Sequence, residues 1–245
     1  STPLYSSAAS DVYKRQILQR TLPRDGTVTL KNTTLDHGTL VVCGPRSRDL
    51  LSKITDADLS NDGFPWLTSQ RITIEGVPLL ALRVNFVGEL GWELHHPIDQ
   101  QVQLFDVIVQ AGNEFGLKHF GMYAMESMRL EKSYRMWGTD LTREYSILEA
   151  GLSRFVRFKK DEFVGKDALV NQKDTGVPQE FVTLEIDVTD GDAMGSEPIY
   201  RKGTMIGRAT SGCFGHSVGK SLALAYVQTG NGDIGTELEL SLIHI

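Results

Sequence analysis

The sequence predicts an α+β chain that ends in a small all-β barrel, and three observations carry that expectation. Up to about residue 173, short β-branched runs and two helical periods follow one another as β-α-β-β-β-α-α, which is no continuous doubly wound series. From about Glu180 only short strands separated by glycines remain, with no room for a long helix, so that end reads as a barrel or sandwich. The composition is ordinary for a globular chain: 245 residues, 40% hydrophobic, 23% charged and 8% aromatic, enough for one large domain or two smaller ones.

Residues 1–16 (STPLYSSAASDVYKRQ) show neither a helical nor a strand period and start without methionine. Together with 241–245 they resemble translated adapter sequence or a disordered tail, and both ends are set aside as non-native; the chain is expected to be the inside of a longer protein. Thr27–Lys31 alternates polar and apolar residues as a strand does, and Gly38–Val42 is a β-branched run closed by Gly44-Pro45. Ser47 is a candidate N-cap for a short helix over Asp49–Ile54. Arg71–Glu75 and Pro78–Val87 form two strands joined at Gly76, a turn covers Phe86–Gly91, and Trp92–His95 resumes as strand. Val102, Leu104, Phe105, Ile108, Val109 and Phe115 share one side of a helix ended by Gly116, and a second helix runs from about Tyr123 to Tyr134. The linker is Asp174–Pro178; after it come strands at Glu180–Ile186, Ile199–Lys202, Thr204–Thr210, Leu222–Val227 and Glu237–Leu240.

Several function classes are excluded on residue chemistry. Twenty-five lysines and arginines against 31 acidic residues leave a net charge of −6, the wrong sign for a protein that coats a phosphate backbone, so no nucleic acid partner is expected. Cys43 and Cys213 stand alone, which rules out a disulfide framework or a CxxC site and suits a reducing compartment. The longest apolar stretch, Val77–Val84, is interrupted by Arg83 and far shorter than the ~20 residues of a membrane span, so no membrane partner is expected. Gly215–Ser221 (GHSVGKS) looks like a phosphate loop but misses the spacing, since Phe214 stands where the first glycine belongs; a hairpin turn accounts for it better. His95 and His96 are adjacent on a strand and point to opposite faces, so they do not chelate one ion, and no metal site is expected. Arg154–Lys160 is a basic cluster with interleaved aromatics, either a patch for a small polyanion or a solvated face.

The stretch Asn85–Leu94 (NFVGELGWEL) is the most informative. Glu93 lies inside an otherwise apolar strand, where an unpaired carboxylate is costly, so it needs a partner: an arginine, a backbone end or a ligand. On the second helix, Glu126 and Arg129 are spaced i,i+3 and read as a surface ion pair worth a few tenths of a kcal/mol.

LVVCGPRSRDLL (40–51), NFVGELGWEL (85–94), MRLEKSYRMWGTDL (128–141), FVGKDAL (163–169) and GRATSGCFGHSVGKSLALAYV (207–227) occur in order and together resemble the glycine-cleavage T-protein (aminomethyltransferase) superfamily. The likeness covers about residues 20–240, and the RLEK…WGTDL and GKSLALAYV segments favour the C-terminal module of dimethylglycine and sarcosine dehydrogenases. The resemblance implies a partial aminomethyltransferase folate-binding domain over 17–173 and the C-terminal barrel over 179–240. It also implies tetrahydrofolate as cofactor, with Glu93 taking the paired donors of the pterin edge and Phe86, where relatives often carry tyrosine, packing on the ring. Glu89, Tyr123 and Arg129 are secondary candidates, since Met125 stands where T-proteins place an arginine.

The implied reaction is capture of a one-carbon unit, released by oxidation of an N-methylated glycine, as 5,10-methylenetetrahydrofolate. The oxidation belongs to an FAD-dependent amine dehydrogenase domain, fused or separate; FAD and the family's catalytic aspartate are expected upstream, so no catalytic residue is assigned within this chain. The alternative is a non-catalytic folate-binding protein akin to iron–sulfur assembly factors. The implied location is the bacterial cytoplasm, or the mitochondrial matrix in a eukaryote.

Overall fold

A computed structural model describes residues 7–242, organised around two antiparallel sheets. The first, from strands β1 (His37–Cys43), β2 (Ser69–Ile74), β3 (Val77–Leu82) and β4 (Gly91–Pro97), has the order β1-β4-β3-β2. The second, from β5 (Gln179–Ile186), β6 (Pro198–Arg201), β7 (Thr204–Gly215), β8 (Lys220–Gln228) and β9 (Glu239–Leu240), has the order β5-β8-β7-β6-β9. Its outer strands β5 and β9 do not pair with each other, so among the described residues the second sheet is barrel-like without closing.

Alternation decides which face of the first sheet is buried. Val42 on β1, Ile72 and Ile74 on β2, Leu79 and Ala81 on β3, and Trp92 and Leu94 on β4 all enter one core, capped by Leu104 and Ile108 of helix α3 (Gln101–Gly112) and by Leu50 and Leu51 of helix α2 (Ser47–Leu51). Each such Leu or Ile contributes about 1.5–3 kcal/mol by burial, so slipping β4 by one residue, which brings Glu93 and His95 inward, is prohibitive. Glu93 is therefore committed to the opposite, open face.

The second sheet is anchored to the rest through helix α4 (Met122–Glu131). Leu130 packs on Leu222 and Leu224, Ser127 Oγ donates to Phe214 O at 2.9 Å, and the Ser217 amide donates to Glu131 Oε1 at 2.7 Å. A further helix, α5 (Lys166–Thr175), which the sequence pattern does not predict, follows Gly165, whose positive φ of 87° starts it without a side-chain cap.

Four local expectations are corrected. The N-terminal stretch, read as aperiodic, is helical over α1 (Ser7–Thr21). Its residues 13–21 are exposed, so local propensity builds a helix that needs no apolar stripe; residues 1–6 and 243–245 of the two set-aside ends lie outside the described residues. Thr27–Lys31 forms no strand, because Asp25 Oδ1 takes both the amide (3.0 Å) and the hydroxyl (2.7 Å) of Thr27 in a local turn. Ser47 is not the cap of α2 but lies inside it, its hydroxyl donating to Leu90 O at 3.0 Å and tying the helix to β4's approach. The strand expected over Pro78–Val87 ends at Leu82. The hairpin reading of residues 215–221 agrees with the structure, where Gly215 pairs with Lys220 and Gly219 turns the chain at φ 69°.

Candidate functional site

The bend between β3 and β4 is braced from within. Asn85 Oδ1 accepts the amides of Val87 (3.0 Å) and Glu89 (3.3 Å), while Asn85 Nδ2 donates to Glu89 O. Gly88 has a φ of 72° and faces the stem of Lys132, where an added Cβ would come within 2.5 Å of Cγ. At Gly91 an added Cβ would meet Val42 O and Cys43 Cβ at 2.7 Å, so only glycine lets β4 close onto β1 here.

This geometry delivers Glu93 to the wall of a hollow of about 740 Å³, within the range of small-molecule sites. Leu40, Val42, Phe86, Phe105, Phe115 and Met125 are among its apolar lining, and Arg46, Lys118 and His119 also reach it. Glu93 is the one carboxylate on that lining among the described residues. Its side chain is 31% exposed; Oε2 is 3.2 Å from His95 Nε2, and Oε1 has no protein partner among the described residues. A half-buried acid with an uncommitted oxygen, in an apolar cavity, suits a ligand presenting adjacent N–H donors. Cys43 also lines the hollow; burial, reinforced by the Glu89 charge, raises its thiol above the ordinary range.

Of the five residues singled out in the sequence, Glu93 and Phe86 meet at this hollow. Glu89 is on the exposed outer side of the bend, 3.6 Å from Lys132 Nζ. Tyr123 is 95% exposed at the start of α4 and does not line the cavity. Arg129 is fully buried elsewhere, which corrects the surface ion pair expected with Glu126. Its guanidinium binds Glu126, donates to Asp140 Oδ2 at 2.6 Å and to Tyr134 O at 2.8 Å, and the residue does not line the hollow.

That arginine belongs to a polar pin that sequence reasoning missed. Asp140 is fully buried, and besides Arg129 its carboxylate takes the Met136 amide (2.8 Å), the Ser211 hydroxyl (2.7 Å) and the Thr210 hydroxyl, while Tyr226 Oη donates to the Asp140 carbonyl at 2.9 Å. The available signal was the acid in Gly138-Thr139-Asp140-Leu141, but its partners on β7 and β8 are 70 or more residues away and become visible only in the folded chain. Among the described residues no group of three or more His, Cys, Asp or Glu is placed to hold a metal, and no helix is long and apolar enough to cross a membrane.

The fold is that of an aminomethyltransferase-type protein, and comparison with known sequences and structures shows it. The family described as "GCVT N-terminal domain" matches residues 3–160, and "Glycine cleavage T-protein C-terminal barrel domain" matches 179–244, so the chain belongs to the glycine cleavage T-protein family. Within that family it is 38% identical over 242 residues to the mitochondrial dimethylglycine dehydrogenase of Homo sapiens, covering 98% of this chain and 28% of that protein. It is 37% identical over 204 residues to the mitochondrial sarcosine dehydrogenase of Mus musculus (83% of this chain, 22% of that one). To the aminomethyltransferase of Thermoanaerobacter sp. (strain X514) it is 32% identical over 213 residues (87% and 57%). The chain thus spans less than a third of the two dehydrogenases and a little over half of the aminomethyltransferase. In structure it matches the glycine cleavage system aminomethyltransferase T from Bartonella henselae with a TM-score of 0.78 at 22% identity, over 96% of this chain and 63% of that one, which establishes the shared fold.

Proposed function

We propose that this chain is the tetrahydrofolate-binding part of a one-carbon transferase that works with an FAD-dependent amine dehydrogenase, fused or separate. The observation that carries the reading is Glu93, whose Oε1 has no protein partner among the described residues, in a hollow lined mainly by apolar side chains, with Arg46, Lys118 and His119 also on its wall. Tetrahydrofolate offers what that site lacks. Its pterin edge presents a ring N–H beside an exocyclic amine, two donors that one carboxylate can take together. The flat ring fits an apolar wall, and Phe86 supplies an aromatic face for it.

When bound, the folate supplies the nitrogens that capture the carbon unit released by oxidation of an N-methylated glycine. The residues of this chain bind and orient. Glu93 fixes the edge of the ring. Phe86 and the lining of α3 and β1 exclude water from it, and the cations Arg46 and Lys118 at the hollow suit the carboxylates of a folate tail. The dehydrogenase relatives, mitochondrial by name, support the N-methylated glycine as carbon source and the mitochondrial matrix as the location in a eukaryote.

A second reading, binding without turnover, draws support from one relative. The chain is 31% identical over 228 residues to the mitochondrial pyruvate dehydrogenase phosphatase regulatory subunit of Mus musculus, a regulatory subunit by name.

Calorimetric titration with folinic acid tests the reading. Loss of both charge-assisted bonds in Glu93→Ala weakens binding by about tenfold or more. Equal affinity in the two proteins, or no binding by the unsubstituted chain, overturns it.

A further inference from the structure

We infer that His95 is a positioning residue for the Glu93 carboxylate, itself held by Thr39, and that this chain of three side chains sets the plane in which Glu93 meets its ligand. The inference rests on the folate reading of the hollow and adds to it the residues that aim its key acid.

The sheet register brings the three together. Glu93 and His95 are two apart on β4 and so share the open face, and Thr39 on β1 is the cross-strand partner of His95. Thr39 Oγ1 lies 3.1 Å from His95 Nδ1, and His95 Nε2 lies 3.2 Å from Glu93 Oε2. Chemistry assigns the hydrogens. An ionised carboxylate can only accept, so Nε2 carries the proton; Nδ1 then has a free lone pair, which takes the Thr39 hydroxyl hydrogen. The imidazole side chain is 34% exposed, so one side of the ring is open to solvent.

The arrangement restrains one carboxylate oxygen and leaves the other open. A glutamate has three rotatable bonds, and bidentate recognition of two parallel donors needs its carboxylate in one plane. Anchoring Oε2 removes much of that freedom before the ligand arrives, while Oε1 and the remaining lone pair of Oε2 stay available. The neighbouring His96 has no such role. It points to the core side, fully buried, with its ring nitrogens 2.9 Å from Leu94 O and 2.6 Å from Gln101 Oε1.

The test compares side chains that keep or lose the donor at the position of Nε2, using folinic acid and the full chain. His95→Gln places an amide N–H at about the same reach and retains affinity within about threefold, whereas His95→Leu and His95→Asn, the latter one methylene short, bind about tenfold more weakly. Thr39→Val, which frees the far end of the imidazole, falls between them. Thermal unfolding of each variant runs alongside, and the Gln/Asn pair decides the question even if His95→Leu does not fold. Wild-type affinity in His95→Asn overturns the positioning role and leaves the folate reading intact. A loss in His95→Gln as large as in His95→Asn marks a structural role only and also overturns it. If the unsubstituted chain does not bind folinic acid, the folate reading fails and the positioning role with it.

Discussion

Glu93 and Asp140 are both carboxylates set among apolar side chains, and the protein treats them in opposite ways. Asp140 is fully buried and has donors on both oxygens: Arg129 and the Met136 amide on one, the Thr210 and Ser211 hydroxyls on the other. Glu93 is half-buried on the wall of a cavity and, among the described residues, has His95 on one oxygen and no partner on the other. A saturated buried acid has nothing left to recognise; it can only hold together the elements that satisfy it, here α4, the Met136–Asp140 turn and β7. An acid with spare accepting capacity, on a face that the core cannot claim, is available to a ligand. Burial alone does not distinguish structural from binding carboxylates, whereas an account of their donors does.

The sharpest way to break this contrast is to remove each acid in turn. Asp140→Ala strands the buried Arg129 guanidinium and lowers stability by about 3–5 kcal/mol in chemical denaturation. Glu93→Ala leaves stability within about 1 kcal/mol and costs folinic acid affinity instead. Equal destabilisation by the two would abolish the distinction.

Alkaline pH probes the structural side of the comparison. Burial, with a smaller contribution from the Glu126 charge, pushes the Cys213 thiol up to about 11 from its ordinary 9.0, and burial also raises Tyr226, the residue that donates to the Asp140 carbonyl. Both groups are neutral in the native state, so above pH 9 unfolding releases protons and stability declines as the pH rises toward 11. Denaturation midpoints that fall between pH 8.5 and 10.5 in the native protein, and fall less in Cys213→Ala, are the expected result; a flat profile counts against it.

The smallest effects lie outside both sites. Glu89 and Lys132 are exposed partners 3.6 Å apart, and Lys132→Ala changes stability by less than about 1 kcal/mol. Tyr123→Ala leaves both folinic acid affinity and the denaturation midpoint unchanged, because the ring stands in solvent away from the hollow. A clear loss of binding in Tyr123→Ala would mean that the site extends beyond the cavity described.

Much of the first sheet was legible in the sequence. The alternation in Trp92-Glu93-Leu94 announces which residues face the core, and Gly88 and Gly91 announce the bend before it. The family likeness adds Phe86, which does reach the hollow. Thr27–Lys31 was misread because an Asx turn competes locally with strand pairing, and α1 was missed because a helix built from propensity shows no apolar period. Arg129 was misplaced for a different reason: an i,i+3 acid and base look the same on paper whether solvent or a second sheet covers them.

Local chemistry written in order along the chain determined the strands of the first sheet, the face each of them buries and the need of Glu93 for a partner, because period-two alternation and the cost of an unpaired acid act over a few residues. Only the tertiary structure decided which acid is saturated and which is free. Thr39 reaches His95 from another strand, and Thr210 and Ser211 reach Asp140 across some 70 residues, so the hydrogen bonds that tell the saturated acid from the one with a spare oxygen exist only once the chain has folded.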